Sequence, residues 1–393
     1  GGIIATFCYK THSIVGELGR NVADLRHSIQ NDRILQCFAT KASDFETALT
    51  HTRWASVGSI TEENCHPVNN YTTIQSKSAY PHYCNIEAQI NVVLNGDIDN
   101  YQALRQSLET GSELIDPQVT TDTKIIPLQI EHYLRQGFEV TEAFRLAVGD
   151  FKGSHAIAMH TDLAPGKLFL AQRGSGQAIF VGIAPDHFMP TSEVYGFIEE
   201  TQEYIKLDGE KIVEGRSGKT QGQLVVLDQA AGGGLESIIS MHYDGTPCPL
   251  SERSLKRTAL TSRDIDRQDY PHYFLKEISE SPASVARTLQ NRWKIKDGDG
   301  RRVVALDERM VPARINRSLA DGAIRRIYFI GQGTAGVAAL ACANILNFYL
   351  NDPAVQIQAL KASEFSGFFL TIASGQVLDS QVVGQSDTHQ KDS

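Results

Sequence analysis

The chain has 393 residues, 41% hydrophobic and 21% charged, enough apolar material for two or three packed domains. Its formal charge of −9, with no basic block to offset it, argues against a nucleic-acid partner. Six cysteines (Cys8, Cys37, Cys65, Cys84, Cys248 and Cys342) lack metal-ligand spacing and read as the reduced thiols of a cytoplasmic protein. Gly1 to Phe7 lacks a basic flank and is too short for a signal segment, and no apolar run reaches membrane-spanning length.

In chain order, short strand-like runs and helix-like segments alternate through residues 1–215. Ile90 to Leu94 reads as a strand before Asn95-Gly96, followed by a helix over Tyr101 to Leu108. Asp122 to Gln136 is a second helix, with Asp122 at its N-cap. Ser154 to Met159, Lys167 to Ala171, Ile179 to Val181 and Tyr204 to Val213 are further strands. The Gly-rich Ala230 to Gly234 and the polar Ser251 to Gln268 make 216–269 a connector. From Tyr270 the pattern turns helical. Strand Arg326 to Ile330, a glycine turn, helix Val337 to Leu350 and strand Val355 to Leu360 then form one βαβ unit. The polar tail 384–393 reads as disordered.

Four short segments recur in one order: His51-Thr52-Arg53-Trp54-Ala55, Asn64-Cys65-His66-Pro67, Leu94-Asn95-Gly96 and Thr121-Asp122-Thr123. Each alone has an ordinary explanation. Asn95-Gly96 is a common hairpin turn, Asp122 a helix cap, and Arg53 beside Trp54 a cation–π pair. Together they resemble the glutamine-binding set of the N-terminal-nucleophile amidotransferases, and within these the glucosamine-6-phosphate synthase family. The resemblance continues through Phe151-Lys152-Gly153-Ser154 and Arg173-Gly174-Ser175-Gly176.

Free glutamine explains why such residue types are needed. A guanidinium grips its α-carboxylate bidentately, the task the resemblance gives Arg53. A carboxylate neutralises its α-ammonium, the task given Asp122. Preorganised donors stabilise the oxyanion, here the Asn95 side chain and the Gly96 backbone N–H. By the same resemblance Trp54 gates the ammonia exit, while Ser56 and His66 line the substrate pocket. The family's nucleophile is an N-terminal cysteine whose α-amine is the base. The chain opens Gly1-Gly2-Ile3-Ile4 instead, so the nucleophile is expected to be absent, replaced or lost from ahead of Gly1. Cys8, whose nitrogen is a peptide amide, is no substitute. An early glutamine-contacting loop after Phe7 is missing as well, and Val57 stands where the family has His.

The second half resembles the sugar-isomerase (SIS) half of that family. His272-Tyr273-Phe274-Leu275-Lys276-Glu277-Ile278 matches its entry segment, Gly331-Gln332-Gly333-Thr334-Ala335-Gly336 its phosphate turn, and Ala362-Ser363-Glu364-Phe365 a later segment. Gly333, Thr334 and Glu364 are the implied sugar-phosphate residues. Gly331, Gly333 and Gly336 also spell a dinucleotide fingerprint. Yet Leu360 is followed by Lys361 rather than a ribose-holding acid. After Phe369 the resemblance fades, and a second SIS domain is not present. Phosphoribosyl and asparagine-forming amidotransferases lack this half. A non-catalytic glutamine or sugar-phosphate sensor is the rival from another class.

The resemblance implies an α+β four-layer αββα glutaminase domain of N-terminal-nucleophile hydrolase type over 1–215, a linker over 216–269, and part of a three-layer α/β SIS domain over 270–383. It implies conversion of glutamine and fructose 6-phosphate to glutamate and glucosamine 6-phosphate through a cysteine thioester and internal ammonia transfer. No metal or redox cofactor is required, and a cytoplasmic homodimer is expected.

Overall fold

A computed structural model describes residues 4–12, 19–41, 43–52, 57–71, 88–110, 115–216, 218–231, 233–262, 266–290, 292–295, 300, 302–304 and 312–362. Arg53, Trp54, Ser56, Glu364 and the tail 384–393 lie outside these residues. The chain divides into two compact units, Gly1–Gln268 and Asp269–Ser393.

The first unit begins with helices α1 (Arg20–Asn31) and α2 (Arg33–Ala39), neither of which buries a residue. Its centre is a six-stranded antiparallel sheet in the order β1 (Val68–Asn69), β2 (Ile90–Gly96), β3 (His155–Thr161), β4 (Lys167–Arg173), β10 (Gln223–Asp228), β11 (Ile238–His242). Side chains alternate across a strand, and here both faces are buried. Ile90, Val92 and Leu94 of β2, Phe169 of β4 and Val226 of β10 join a cluster with Leu108, Ile126, Ile130, Phe144 and Val148. Those partners come from helices α3 (Tyr101–Thr110), α4 (Ile125–Arg135) and α5 (Val140–Asp150). Phe144 meets Phe169 edge to face at 5.7 Å.

The opposite face carries Ala156, Leu170 and Val225, which pack with Val181 and Ile205. These last belong to a second sheet, ordered β12 (Lys256–Arg257), β7 (Glu203–Lys206), β5 (Phe180–Ile183), β6 (Phe188–Thr191). Helices, sheet and second sheet therefore make three stacked layers defined by buried side chains. Two strands, β8 (Ile212–Gly215) and β9 (Gly218–Gln221), form a separate hairpin.

Three local expectations are corrected. Residues 218–242 are not a connector: β10 is buried and pairs with both β4 and β11. The glycines of Ala230 to Gly234 fall between β10 and β11, where a chain reversal needs them. Tyr204 to Val213 is two strands, because a Cβ at Gly209 would meet Gln172 O at 1.9 Å and the backbone turns there against β4. Finally, Asp122 does not cap a helix. Residues Asp122–Lys124 form a 3-10 turn ahead of α4, and Thr121 is its N-cap, its hydroxyl accepting from the Thr123 N–H.

In the second unit α6 (Tyr273–Leu289) starts at His272, whose Nδ1 accepts the Leu275 N–H at 3.3 Å. A hairpin of β13 (Trp293–Ile295) and β14 (Arg302–Val304) and helix α7 (Ala313–Ala320) follow. Strands β15 (Arg326–Gly331) and β16 (Gln356–Lys361) pair in parallel across the crossover helix α8 (Thr334–Leu350). The buried cluster of this unit is Ala343, Val355 and Ile357. Phe348 and Tyr349 on α8 are 76% and 79% exposed, and Phe274 on α6 is 70% exposed. Among the described residues no helix is long and apolar enough to cross a membrane.

Candidate active site

The expected glutamine residues that lie within the described chain converge at one edge of the six-stranded sheet. In an antiparallel ladder, backbone N–H groups point alternately to one neighbour and the other. The Asp97 N–H turns toward β3 and donates to Ser154 O at 3.1 Å. The N–H groups of Leu94 and Ile98 point to the opposite edge. There β1 is only two residues long, paired through Val68 and Asn69 to Val92 and Asn91. Side chains take the place of a longer strand. The Leu94 N–H donates to His66 Nδ1 at 3.4 Å, and the Ile98 N–H donates to Asp122 Oδ2 at 2.9 Å. Gly96 lies in the chain between these two contacts.

Gly96 has to be glycine. Its φ is +107°, and a Cβ there would meet Ser154 O at 2.2 Å. Asn95, beside it, is exposed at the end of the strand.

His66 is buried and its tautomer follows from its partners. Since Nδ1 accepts the Leu94 N–H, the proton of the neutral ring is on Nε2, 2.9 Å from Thr123 Oγ1. Thr123 Oγ1 also receives the Thr121 hydroxyl at 3.1 Å and is left to donate to Asp122 Oδ1 at 3.5 Å. The His51 ring lies 4.4 Å from that of His66, centroid to centroid, so the segment leading to Arg53 enters the site at His51.

Asp122 is 4% exposed. Burial, with a smaller push from the Asp97 charge, raises its carboxyl above the usual carboxylate range; the Ile98 N–H opposes the shift. Such a carboxylate gains from an added ammonium partner. Two residues on, Lys124 is also buried. Its Nζ donates to Asn69 O at 2.6 Å and to Tyr71 O. Burial, aided by the Lys10 charge, lowers it to about 7.

Asn64, His66 and the 118–123 segment form one hydrogen-bonded body. Asn64 Oδ1 accepts the N–H groups of Thr120 and Thr121 at 2.8 and 2.9 Å. At Gly58, where φ is +86°, a Cβ would meet Thr121 N at 2.9 Å, so the two segments touch backbone to backbone. Asn64, Thr121, Thr123 and Lys124 were not anticipated as site residues. Asn64 belongs to the Asn-Cys-His-Pro segment, which was the available signal.

On the other side of β2, Phe151-Lys152-Gly153-Ser154 braces the strand end. The Asp99 N–H donates to Lys152 O at 3.0 Å. Ser154 Oγ donates to Gln177 Oε1 at 2.7 Å and accepts the Gly176 N–H at 3.1 Å.

Gly333 and Thr334 lie in the second unit. Gly333 is the N-cap of α8, with φ +56°, and Thr334 is the first residue of the helix and exposed. A Cβ at Gly331 would meet Ala335 O at 2.4 Å, so β15 ends directly against the first turn of α8. No group of three or more His, Cys, Asp or Glu among the described residues is arranged to hold a metal ion.

No family model matches the chain. Over nearly its whole length, however, the chain is similar to aminotransferases that use glutamine. The particular relatives are named glutamine--fructose-6-phosphate aminotransferase [isomerizing]. That of Bacillus subtilis (strain 168) is 27% identical over 377 residues, 93% of this chain and 52% of the relative. That of Streptococcus mutans is 27% identical over 347 residues, 86% of this chain and 48% of the relative. The chain thus spans about half the length of the curated relatives it matches. Among solved structures, the B. subtilis glutamine phosphoribosylpyrophosphate amidotransferase covers 49% of this chain and 34% of its own, with 17% identity and a TM-score of 0.34. That score is too low to define the fold.

Proposed function

We propose that this chain is the glutaminase half, with the start of the sugar half, of a glutamine-dependent aminotransferase that makes glucosamine 6-phosphate from fructose 6-phosphate. The observation that carries this reading is the place of Gly96 at the end of β2, between the Leu94 contact to His66 and the Ile98 contact to Asp122. In this reading the Gly96 N–H would serve as an oxyanion donor beside a buried carboxylate suited to an α-ammonium. The roles proposed follow. Asn95 and Gly96 hold the oxyanion, Asp122 the ammonium and Arg53 the α-carboxylate. Ser56 and His66 shape the pocket, and Trp54 gates the ammonia exit.

In this reading a thiol attacks the glutamine carboxamide carbon, the C–N bond breaks to release ammonia, and water then cleaves the thioester to glutamate. The layers of helices, sheet and second sheet would be three of the four in an αββα glutaminase. The parallel pair around α8 would be the opening of an SIS domain, with Gly333, Thr334 and Glu364 at the sugar phosphate. Cytoplasmic residence and a homodimer belong to the same proposal.

The test is calorimetric titration of the chain with glutamine, beside the Arg53→Ala variant. Binding of glutamine that is lost in the variant is the expected result. Equal binding by both proteins would show that the His-Thr-Arg-Trp segment does not read glutamine.

A further inference from the structure

We propose that Asn64 is a positioning residue that sets where Asp122 meets the amino group of the substrate, and so lets the site discriminate glutamine from amides without an α-amine. The inference rests on the glutamine-site reading above.

Asn64 is 0% exposed, and every polar atom of its side chain is engaged. Its amide nitrogen, with two protons, lies within hydrogen-bond distance of Ser59 Oγ at 3.0 Å, Thr61 Oγ1 at 2.9 Å and Gln118 O at 2.9 Å. Its Oδ1 accepts the N–H groups of Thr120 and Thr121. The amide group thus reaches both the loop that leads into His66 and Gln118 of the other segment, while the acceptor holds the two residues just before Asp122. The Ser59 N–H and hydroxyl add contacts to Thr120 Oγ1 at 3.1 and 3.4 Å, and His66 Nε2 meets Thr123 Oγ1.

The consequence for Asp122 is geometric. Its Oδ2 is committed to the Ile98 N–H, which leaves Oδ1, to which the Thr123 hydroxyl donates at 3.5 Å, as the oxygen for a ligand. The direction of Oδ1 depends on the backbone of Thr121, and Asn64 fixes that backbone. Without Asn64 Oδ1, two N–H groups at the base of the turn lose their acceptor, and the turn is free to choose another arrangement.

The test compares glutamine with 4-carbamoylbutanoate, the same molecule without its α-amine, by calorimetry at pH 8. The proteins are the full chain, Asn64→Ala and Asp122→Asn. Asn64→Ala is expected to weaken glutamine at least tenfold while changing the des-amino compound less than twofold, and Asp122→Asn is expected to do the same. Equal losses for both ligands in Asn64→Ala would mean a purely structural residue and would overturn the inference, as would no loss for either. If Asp122→Asn discriminates like the unmodified chain, or the unmodified chain binds no glutamine, the site reading itself fails and the inference with it. Should Asn64→Ala not fold, Asn64→Asp keeps the acceptor for Thr120 and Thr121 while losing the amide donors. It is expected to keep its preference for glutamine within threefold of the unmodified chain, and loss of that preference would overturn the proposal.

Discussion

The Asp122 carboxylate accepts the Ile98 N–H at 2.9 Å, joining a turn and the end of a strand that are 24 positions apart. One side chain therefore has a structural bond on one oxygen and a candidate ligand site on the other. The two roles separate on substitution. Asp122→Asn keeps an oxygen for Ile98 and should hold stability within about 1 kcal/mol. Asp122→Ala leaves that buried N–H without a partner and should cost about 1–3 kcal/mol. Both should lose glutamine affinity. Thermal melts alongside calorimetry separate the effects; a strongly destabilised Asn variant would mean the charge itself holds the fold.

Gly96 makes a sharper prediction. A methyl group at φ +107° and 2.2 Å from Ser154 O has no room, so Gly96→Ala should destabilise the first unit by about 2 kcal/mol or more. A drop in melting temperature is the readout. A variant melting like the unmodified protein would show that β2 and the Ser154 segment are further apart than described.

Lys124 should give the fold a pH dependence. Its folded-state value is lowered to about 7 from 10.5. Below pH 7 both states hold the proton, and the cost of burying the charge is fully present. Between about 7 and 10.5 the unfolded chain holds more protons than the folded one, so this contribution makes stability rise with pH. The neutral amine keeps two N–H groups for Asn69 O and Tyr71 O, so the fold tolerates the change. The charges acting on the group are Lys10, Glu131, Asp116 and Arg105. Denaturant titrations of the unmodified chain and Lys124→Met from pH 7 to 9.5 should diverge by up to about 1.4 kcal/mol per pH unit. Parallel curves would mean that Lys124 titrates normally.

Ligand binding should respond to Asp122 in a different pH window. Its carboxyl is raised by burial, so it takes up a proton at a higher pH than an exposed carboxylate. Glutamine affinity should therefore fall on acidification while Asp and Glu side chains at the surface are still ionised. The des-amino analogue, having no ammonium to neutralise, should show no such fall. If both ligands weaken together, the sensitive group is not the ammonium's partner.

Much of the first unit was legible in the sequence because its causes are local. Short apolar runs bounded by turn residues, Ile90 to Leu94 and Lys167 to Ala171, mark strands, and Asn95-Gly96 marks a strand's end. The order of the His51, Asn64, Asn95 and Thr121 segments pointed to glutamine before any geometry was known. The connector reading of 216–269 failed for an equally physical reason. Glycine-rich and polar stretches mark a chain reversal as readily as a linker, and only pairing with β4 shows that β10 is interior.

What the sequence determined by itself is the inventory: which residue types the site has, and the periodicities that make strands and helices. Only the tertiary structure decided how they are used. It made Thr121 rather than Asp122 the cap, fixed the proton of His66 on Nε2, and set Asn64 between two segments more than 50 positions apart. Such choices depend on hydrogen bonds between distant parts of the chain, which leave no local period to read. They form because burying these polar groups is tolerable only when each finds its partner.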